Sequence, residues 1–300
     1  MKKPMLLSND EYDLDNLNYS NMYKSTKRDG IRAEVTNQGI KNRSLKILRN
    51  TKIQNWFKDV YENLPDGIIL DAEIYCDGIP CREMAGVCNS LDKDVPVGTK
   101  LYIFGIFDKE LTFKERYQKI ATICAEYCEK SDKYEIVEQT KCESAEDATY
   151  FFNYCLDNGF EGAVLMNGNS KYKEGRVTIN QHIGFKLKPH RFDDLKIIGV
   201  NERMENTNES QINELGHSFK RNTVDAKAST GIAATFDCLM ADGITETKVT
   251  ITGDEAFRRE IWENKEKYIG CYAVIKSMDY GAKDKLRHPR LVDIKMQVEK

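Results

Sequence analysis

The sequence predicts an α+β fold in two domains, a larger one with antiparallel sheets and a smaller β-barrel. The 300 residues exceed the usual size of one domain, and 40% hydrophobic with 31% charged residues is typical of a globular protein. In the first part, short apolar runs between Gly, Asp or Asn turns outnumber helical patterns. After Pro189 the pattern changes. We therefore place the domains at residues 1–189 and 190–300.

The first domain is predicted to hold seven strands and three helices. The strands are expected at residues 22–26, 31–36, 67–75, 101–107, 134–138, 163–166 and 183–188. Helices are expected at 53–62, at 112–130, where apolar residues recur at helical spacing, and at 144–158, where Ser144 and Asp147 have the spacing of a cap.

The second domain shows five apolar runs with one helical segment between the third and the fourth. The runs lie at residues 195–200, 231–240, 247–252, 271–278 and 290–294, and the helix at 254–266. This order suits a small barrel of the oligonucleotide-binding (OB) type. The polar stretch 202–230 has almost no apolar periodicity, so we expect a long loop that is either disordered or functional.

Charge and cysteine content limit the class of protein. Lys and Arg number 45 against 48 Asp and Glu, so any nucleic-acid site must be a local patch. The nine cysteines show no Cys-x-x-Cys pair, which indicates a reducing compartment. No apolar run approaches the roughly 20 residues of a membrane span. We expect an intracellular protein without a membrane segment.

The first candidate site residues flank an Asp-Gly turn. Lys27 ends one predicted strand and Arg32 begins the next, across Asp29-Gly30, which aims both cations at one place. An ordinary hairpin with solvent-exposed cations remains open for this turn taken alone.

Carboxylates and lysines recur at the ends of other predicted strands. Asp71 and Glu73 follow one apolar run, and Phe107-Asp108 and Glu161-Gly162 adjoin two others. Lys186 and Lys188 alternate on a further strand and therefore share a face. Lysines, carboxylates and an aromatic suit a nucleoside triphosphate, although no P-loop motif is present. A lysine whose pKa is lowered by neighbouring cations could attack the α-phosphorus directly.

These motifs, in this order and at these separations, resemble those of the covalent nucleotidyltransferases. The two-domain layout resembles in particular the small ATP-dependent DNA ligases of viruses and phages, over nearly the whole chain. Further matching stretches are 171–176, 258–270 and 286–290. Ala72 stands where the family usually has glycine, and the terminal motif is reduced to Arg287 and its neighbours.

The resemblance implies roles around the nucleotide. Lys27 would take AMP, Thr26 would contact the adenine and Phe107 would stack on it. Lys186 and Lys188 would neutralise the phosphate charge.

Other roles implied by the resemblance concern the metal, the ribose and the leaving group. Glu73 would bind the ribose and a metal, and Glu161 would hold the divalent cation, Mg²⁺ or Mn²⁺. Arg32 would contact the ribose and the nick or the triphosphate. Arg287 would orient pyrophosphate.

The same resemblance implies a DNA site. Arg32, Arg43 and Arg176 would contact the nick or the strands beside it. Within 202–230, Lys220 and Arg221 would belong to a latch that helps encircle DNA.

The function implied is an ATP-dependent DNA ligase that seals 3′-OH/5′-phosphate nicks through a lysyl-AMP intermediate. We expect a monomer whose partner is nicked duplex DNA, with no obligate protein partner. An RNA ligase, an mRNA capping guanylyltransferase and a non-catalytic OB-type nucleic-acid binder remain open as alternatives.

Overall fold

The computed structural model describes residues 3–8, 12–212, 218–221, 223, 226–280 and 286–296. The chain divides into two compact units, Met1–Lys188 and Pro189–Lys300. In the described residues, no helix is both long and apolar enough to cross a membrane. All nine cysteines are free thiols.

The first unit contains eleven strands and five α-helices among its described residues, with two short 3₁₀ helices at Leu14–Asn16 and Ile179–Gln181. Its strands are β1 (Met5–Leu6), β2 (Met22–Lys27), β3 (Ile31–Thr36), β4 (Gly39–Asn42), β5 (Leu70–Tyr75), β6 (Lys100–Ile106), β7 (Tyr134–Ile136), β8 (Thr140–Cys142), β9 (Gly162–Asn167), β10 (Gly175–Arg176) and β11 (Gly184–Leu187). Its helices are α1 (Thr51–Trp56), α2 (Lys58–Tyr61), α3 (Cys81–Asn89), α4 (Phe113–Tyr127) and α5 (Ala145–Asp157).

Two main sheets organise this unit. One has the strand order β11-β9-β2-β8 and the other the order β4-β3-β5-β6-β7. Most neighbours are antiparallel, as predicted, but β7 is parallel to β6 and β1 is parallel to β10. The first exception follows from α4, since a helical crossover between consecutive strands brings the second one back in the same direction.

The Asp29-Gly30 turn does not form a hairpin. β2 pairs with β8 and β9, whereas β3 pairs with β4 and β5 in the other sheet. The turn therefore carries the chain from one sheet to the other. Lys27 is the last residue of β2, and Arg32 is the second residue of β3.

The main core lies on one face of the five-stranded sheet. Leu70, Ala72 and Ile74 of β5 are fully buried in it and pack with residues of α1 to α4. Because side chains alternate along a strand, Asp71 and Glu73 belong to the opposite face. Apolar packing on one side thus places the two acids together on the other.

Some predicted helix boundaries needed correction. The helix predicted at 53–62 is two short helices separated at Phe57, whose ring is fully buried. α3 was not predicted, because its nine residues Cys81–Asn89 are too few to show a clear helical period, contain Gly86 and follow Gly78-Ile79-Pro80. By contrast, α4 and α5 are capped by the first residues of the two predicted helices, Thr112 and Ser144, whose side chains accept hydrogen bonds from the first turn.

The second unit consists of seven strands and two helices in the part of the chain that is described. They are β12 (Arg191–Asn206), β13 (Ser210–Ile212), β14 (Ser218–Lys220), β15 (Lys227–Leu239), β16 (Glu246–Thr250), α6 (Glu255–Glu263), α7 (Lys265–Tyr268), β17 (Tyr272–Tyr280) and β18 (Leu286–Lys295). The five long strands pair in a closed ring, β12-β15-β16-β18-β17. Ile197, Phe236 and Ile275 lie in its fully buried core.

The polar stretch 202–230 is more ordered than the sequence suggested. β12 continues to Asn206, β15 already begins at Lys227, and β13 pairs with β14 from Ser210 to Lys220. Residues 213–217, 222, 224 and 225 lie outside the described residues. β13 and β14 are exposed on both faces, so they lack the apolar alternation by which a strand is recognised.

Candidate active site

Three residues of the first unit form an ion cluster at the ends of three strands. Glu161 accepts hydrogen bonds from the Nζ atoms of Lys27 and Lys188, one at each carboxylate oxygen. The side chain of Glu161 is only 9% exposed, and those of the two lysines are about one fifth exposed. A carboxylate this well covered is stabilised by its two cations, because an unpaired buried charge is costly.

Strand register explains why the three residues meet. Lys27 lies opposite Gly162 on β9, and Leu187 lies opposite Ala163. The backbone N–H of Glu161 donates to the Lys27 carbonyl oxygen at 2.9 Å. The residues that follow β11 and precede β9 are thus held next to the last residue of β2.

Gly162 permits this close approach. Its φ is 150°, and a Cβ at this position would be 2.1 Å from the carbonyl oxygen of Leu187. Any other residue would push β9 away from β11 and separate Glu161 from Lys188. The glycine after the acid is therefore part of the site geometry.

Lys186 lies beside this cluster. Burial lowers the pKa of Lys186 to about 8, and the nearby charges of Lys188 and Lys27 add to the effect. Glu161 opposes the shift. Cations gathered in one partly buried place favour the binding of an anion, because such a ligand relieves their mutual repulsion.

Glu73 provides a carboxylate from the opposite sheet. Burial raises the pKa of Glu73 to about 7, against the opposing influence of Lys27 and Arg32. Glu73 pairs across the strands with Arg32 on one side and Tyr102 on the other. Its side chain makes no hydrogen bond to another described residue, so the carboxylate oxygens remain available to a ligand.

Arg32 is held by a separate network. Its Nε donates to Asp71 Oδ1 and its Nη2 to Asp71 Oδ2. Tyr172 donates its hydroxyl to the same carboxylate at 3.2 Å and accepts the Met5 N–H at 2.8 Å. Burial disfavours the cation, but Asp71 outweighs this and raises the pKa of Arg32. Arg32 therefore stays charged on the site face of the sheet.

Phe107 and Thr26 are each engaged by other residues. Phe107 is buried, and its ring centroid lies 4.3 Å from that of Tyr172. It also lines a cavity of about 350 Å³ with Ile69, Asp108 and Lys119. The Thr26 hydroxyl accepts a hydrogen bond from Arg28 Nη1 at 3.1 Å.

The remaining predicted residues lie on other elements, although the charge of Arg176 contributes to the lowered pKa of Lys186. Arg43 is exposed after β4, and Arg176 is exposed on β10. Three others belong to the second unit: Lys220 on β14, Arg221 directly after it, and Arg287 on β18.

Two residues near the site were not identified from the sequence. Arg28 stacks on Tyr102, and Glu34 is a buried acid on the same strand as Arg32, with no partner for its Oε1 atom. Burial raises the pKa of Glu34 to about 7, and Asp71 contributes. Glu34 could have been suspected, since its two-residue spacing from Arg32 places both on the site face.

No group of three or more His, Cys, Asp or Glu side chains in the described ranges is arranged to hold a metal ion by itself. Glu161 binds Lys27 directly, and the charge of Lys27 acts on Glu73. One or two carboxylates suit Mg²⁺, which usually keeps water and substrate phosphates among its ligands. The site residues therefore fit a metal that arrives with a nucleotide.

Comparison with known proteins decides the family. The family described as "ATP dependent DNA ligase domain" matches residues 4–186, which include the whole Lys27 cluster except Lys188. The chain belongs to the ATP-dependent DNA ligase family. The comparison with curated proteins finds no match.

Solved DNA ligase structures resemble the fold of this ligase over nearly its entire length. A Lig E DNA ligase is 16% identical with a TM-score of 0.74, covering 98% of this chain and 100% of its own. Chlorella virus DNA ligase-adenylate is 22% identical with a TM-score of 0.55, covering 99% of both chains. The ligase domain of M. tuberculosis LigD is 13% identical with a TM-score of 0.51, covering 98% and 95%.

Family membership favours one of the functions that the sequence left open. This ligase is an ATP-dependent enzyme that seals nicks, and a covalent intermediate is general to its family. The match to the DNA ligase domain excludes a non-catalytic OB-type binder and disfavours an RNA ligase or an mRNA capping guanylyltransferase.

Proposed function

We propose that this ligase seals 3′-OH/5′-phosphate nicks in duplex DNA with Lys27 as the residue that carries AMP. The observation that supports this role most strongly is the contact of Lys27 with Glu161, which also binds Lys188. An amine held by a covered carboxylate, among further cations, suits attack on a phosphate.

The first step joins Lys27 to AMP. The Nζ atom gives up a proton, for which Glu161 is the adjacent acceptor, and attacks the α-phosphorus of ATP. The new N–P bond forms as the bond to the bridging oxygen breaks, and pyrophosphate leaves with the electron pair. Lys186 and Lys188 stabilise the negative charge of the phosphates.

Two further transfers complete the reaction. An oxygen of the DNA 5′-phosphate attacks the AMP phosphorus, and the bond to Lys27 breaks. The 3′-hydroxyl then attacks the activated 5′-phosphate, AMP leaves, and the phosphodiester bond closes. The same cations near Lys27 serve all three steps, because each step builds negative charge on a phosphate.

A divalent cation, Mg²⁺ or Mn²⁺, belongs to this proposal. Glu73 would hold it, with Glu161 as a second ligand, and the metal would neutralise phosphate charge. Arg32, fixed by Asp71, would contact the ribose or the nick, and Arg287 would orient pyrophosphate. We propose that Phe107 stacks on the adenine, which requires the Tyr172 contact to loosen. We also propose that Thr26 donates its hydroxyl proton to the adenine edge while it still accepts the hydrogen bond from Arg28.

We assign the second unit to an OB fold. Its ring of five strands, with α6 and α7 between β16 and β17, supports this assignment. We propose that the exposed hairpin of β13 and β14, with Lys220 and Arg221, acts as a DNA latch, and that Arg43 and Arg176 contact the strands beside the nick. We further propose a monomer in a reducing, intracellular location.

A sealing assay tests this function. Nicked duplex DNA with a 5′-phosphate should be joined in the presence of ATP, whereas the same nick without the phosphate should not. Replacing ATP by GTP, or the duplex by nicked duplex RNA, should reduce joining strongly. Joining of RNA alone, or dependence on GTP, would contradict the proposal.

A further inference from the structure

Arg28, the residue after Lys27, is clamped by contacts with both sheets of the first unit. Its guanidinium carbon lies 3.7 Å from the ring centroid of Tyr102 and 5.0 Å from that of Phe160. Nη1 donates to the Thr26 hydroxyl at 3.1 Å, and Nη2 lies 3.6 Å from Glu135 Oε1. The side chain is 13% exposed. Arginine suits this place because its planar cation stacks on rings while its nitrogen atoms still donate.

Three of the four contacts of Arg28 adjoin a residue of the candidate site, and only Glu135 does not. Thr26 precedes Lys27 on β2, and Phe160 precedes Glu161. Tyr102 is the cross-strand partner of Glu73 on β5. One side chain therefore connects the backbone segments that carry the amine, its carboxylate partner and the opposing acid.

The four-stranded and five-stranded sheets do not share a hydrogen-bonded strand pair among the described residues. The separation between Lys27, at the end of β2, and Glu73, on β5, is therefore set by the Asp29-Gly30 turn and by side chains that bridge the two sheets. Arg28 is such a bridge, since it bonds to Thr26 in one sheet and stacks on Tyr102 in the other.

We propose that Arg28 is a positioning residue for AMP transfer, which fixes the Lys27 amine relative to Glu161 and Glu73 through Thr26, Phe160 and Tyr102. It acts through these neighbours, because its guanidinium already stacks between two rings and bonds to a hydroxyl. The inference rests on the proposed role of Lys27. Small errors in the placement of a nucleophile slow its reaction strongly, without an equal loss of substrate binding.

The test measures lysyl-AMP formation in single turnovers over a range of ATP concentrations. For Arg28→Ala we expect a rate constant at saturating ATP that is ~10- to 100-fold lower, and an ATP concentration at half-maximal rate within about threefold of wild type. The rate constant of Arg28→Lys should lie between those of wild type and Arg28→Ala, because lysine keeps the charge but cannot form the planar stack. The rate constant of Glu135→Gln should stay within about twofold of wild type, because exposed ion pairs contribute little.

A double-mutant comparison separates positioning from general damage. Tyr102→Leu removes the closest ring and should slow AMP transfer as Arg28→Ala does. The double variant Arg28→Ala/Tyr102→Leu should be no slower than the slower single variant, because both changes break the same interaction.

Lys133→Ala is the matched control for reduced stability. Lys133 also combines an ion pair, 2.9 Å to Asp59, with a ring, Trp56, but it adjoins no site residue. This variant should lower the melting temperature and leave the rate constant unchanged.

The possible results are distinguishable. A wild-type protein that forms no lysyl-AMP would overturn the proposed function itself. With an active wild type, three results would each overturn the role of Arg28: an unchanged rate in Arg28→Ala, fully additive effects in the double variant, or a rise only in the ATP concentration needed. The last would mark Arg28 as a direct ATP ligand.

Discussion

Gly30 lies so close to Glu73 that a Cβ on the glycine would be 2.7 Å from the Glu73 Cγ atom and 2.4 Å from the Ile74 carbonyl oxygen. The turn that follows Lys27 is thus packed against the strand that carries the opposing acid. The absence of a side chain at Gly30 sets the separation of the two sheets at this point.

The change Gly30→Ala should therefore displace Glu73 or the turn. We expect AMP transfer to slow at least ~10-fold, because the amine and the acid lose their relative placement. Gly86→Ala in α3 is the control, since its Cβ would meet only Lys93 Nζ at 3.7 Å. Rates of lysyl-AMP formation should show the difference, and a normal rate in a folded Gly30→Ala protein would contradict it.

The low pKa of Lys186 predicts a change in the pH profile. Below pH 8 this lysine is mainly charged, and above it the charge disappears. If AMP transfer needs that charge, the rate should fall as the pH rises through 8, by roughly 20-fold at pH 9.5 relative to pH 7.5. Lys186→Arg keeps its charge, so this decline should disappear when each protein is normalised to its own rate at pH 7.5. Identical profiles would refute the prediction.

Glu34 predicts a pH dependence of folding stability. Its folded pKa of about 7 lies above its ordinary value of 4.5, so the folded protein binds this proton more tightly than the unfolded one. The stabilisation is complete below pH 4.5 and is lost as the pH rises through 7, by at most about 3 kcal/mol. The free energy of unfolding, measured with urea, should decrease less from pH 5 to pH 8 in Glu34→Gln than in wild type. Glu138→Gln, at an exposed position, should behave like wild type.

The hairpin of β13 and β14 predicts salt-dependent binding to DNA. Lys220→Ala/Arg221→Ala should weaken binding to nicked DNA and lower the slope of log affinity against log salt by about 0.9 for each phosphate that the hairpin no longer neutralises. The rate of lysyl-AMP formation should not change. Lys248→Ala serves as the control, because this exposed lysine is paired with Asp237. An equal decrease in the affinity for nicked DNA and in the rate of lysyl-AMP formation would argue against a latch.

The meeting of Lys27, Glu161 and Lys188 was more predictable from the sequence than the details of the fold, whereas their chemical roles stay predictions. Lys27, Glu161 and Lys188 each lie at the end of an apolar strand, and strand ends can be recognised from local sequence. What local sequence does not reveal is which sheet a strand joins. The Asp29-Gly30 turn is compatible with a hairpin, and only tertiary packing carries β3 into the other sheet.

Other features depended on contacts between distant residues. Arg28 gains its place from Tyr102 and Phe160, which are remote in sequence, so its residue type alone indicated nothing. The strands within 202–230 are exposed on both faces and carry no apolar alternation. Phe107 was recognised as an aromatic at a strand end, but its packing against Tyr172 depends on a segment more than 60 residues away.

The most direct test of the account is a labelled transfer experiment. The protein, treated with pyrophosphate to remove bound AMP, is incubated with α-labelled ATP and magnesium and then chased with nicked duplex DNA. We predict covalent label on Lys27, stable in alkali and released by acid because it is held by an N–P bond, that passes into DNA as the nick is sealed, and no label in Lys27→Ala that remains folded. Label on another residue, persistent labelling of Lys27→Ala, or label that never moves to DNA would contradict the account.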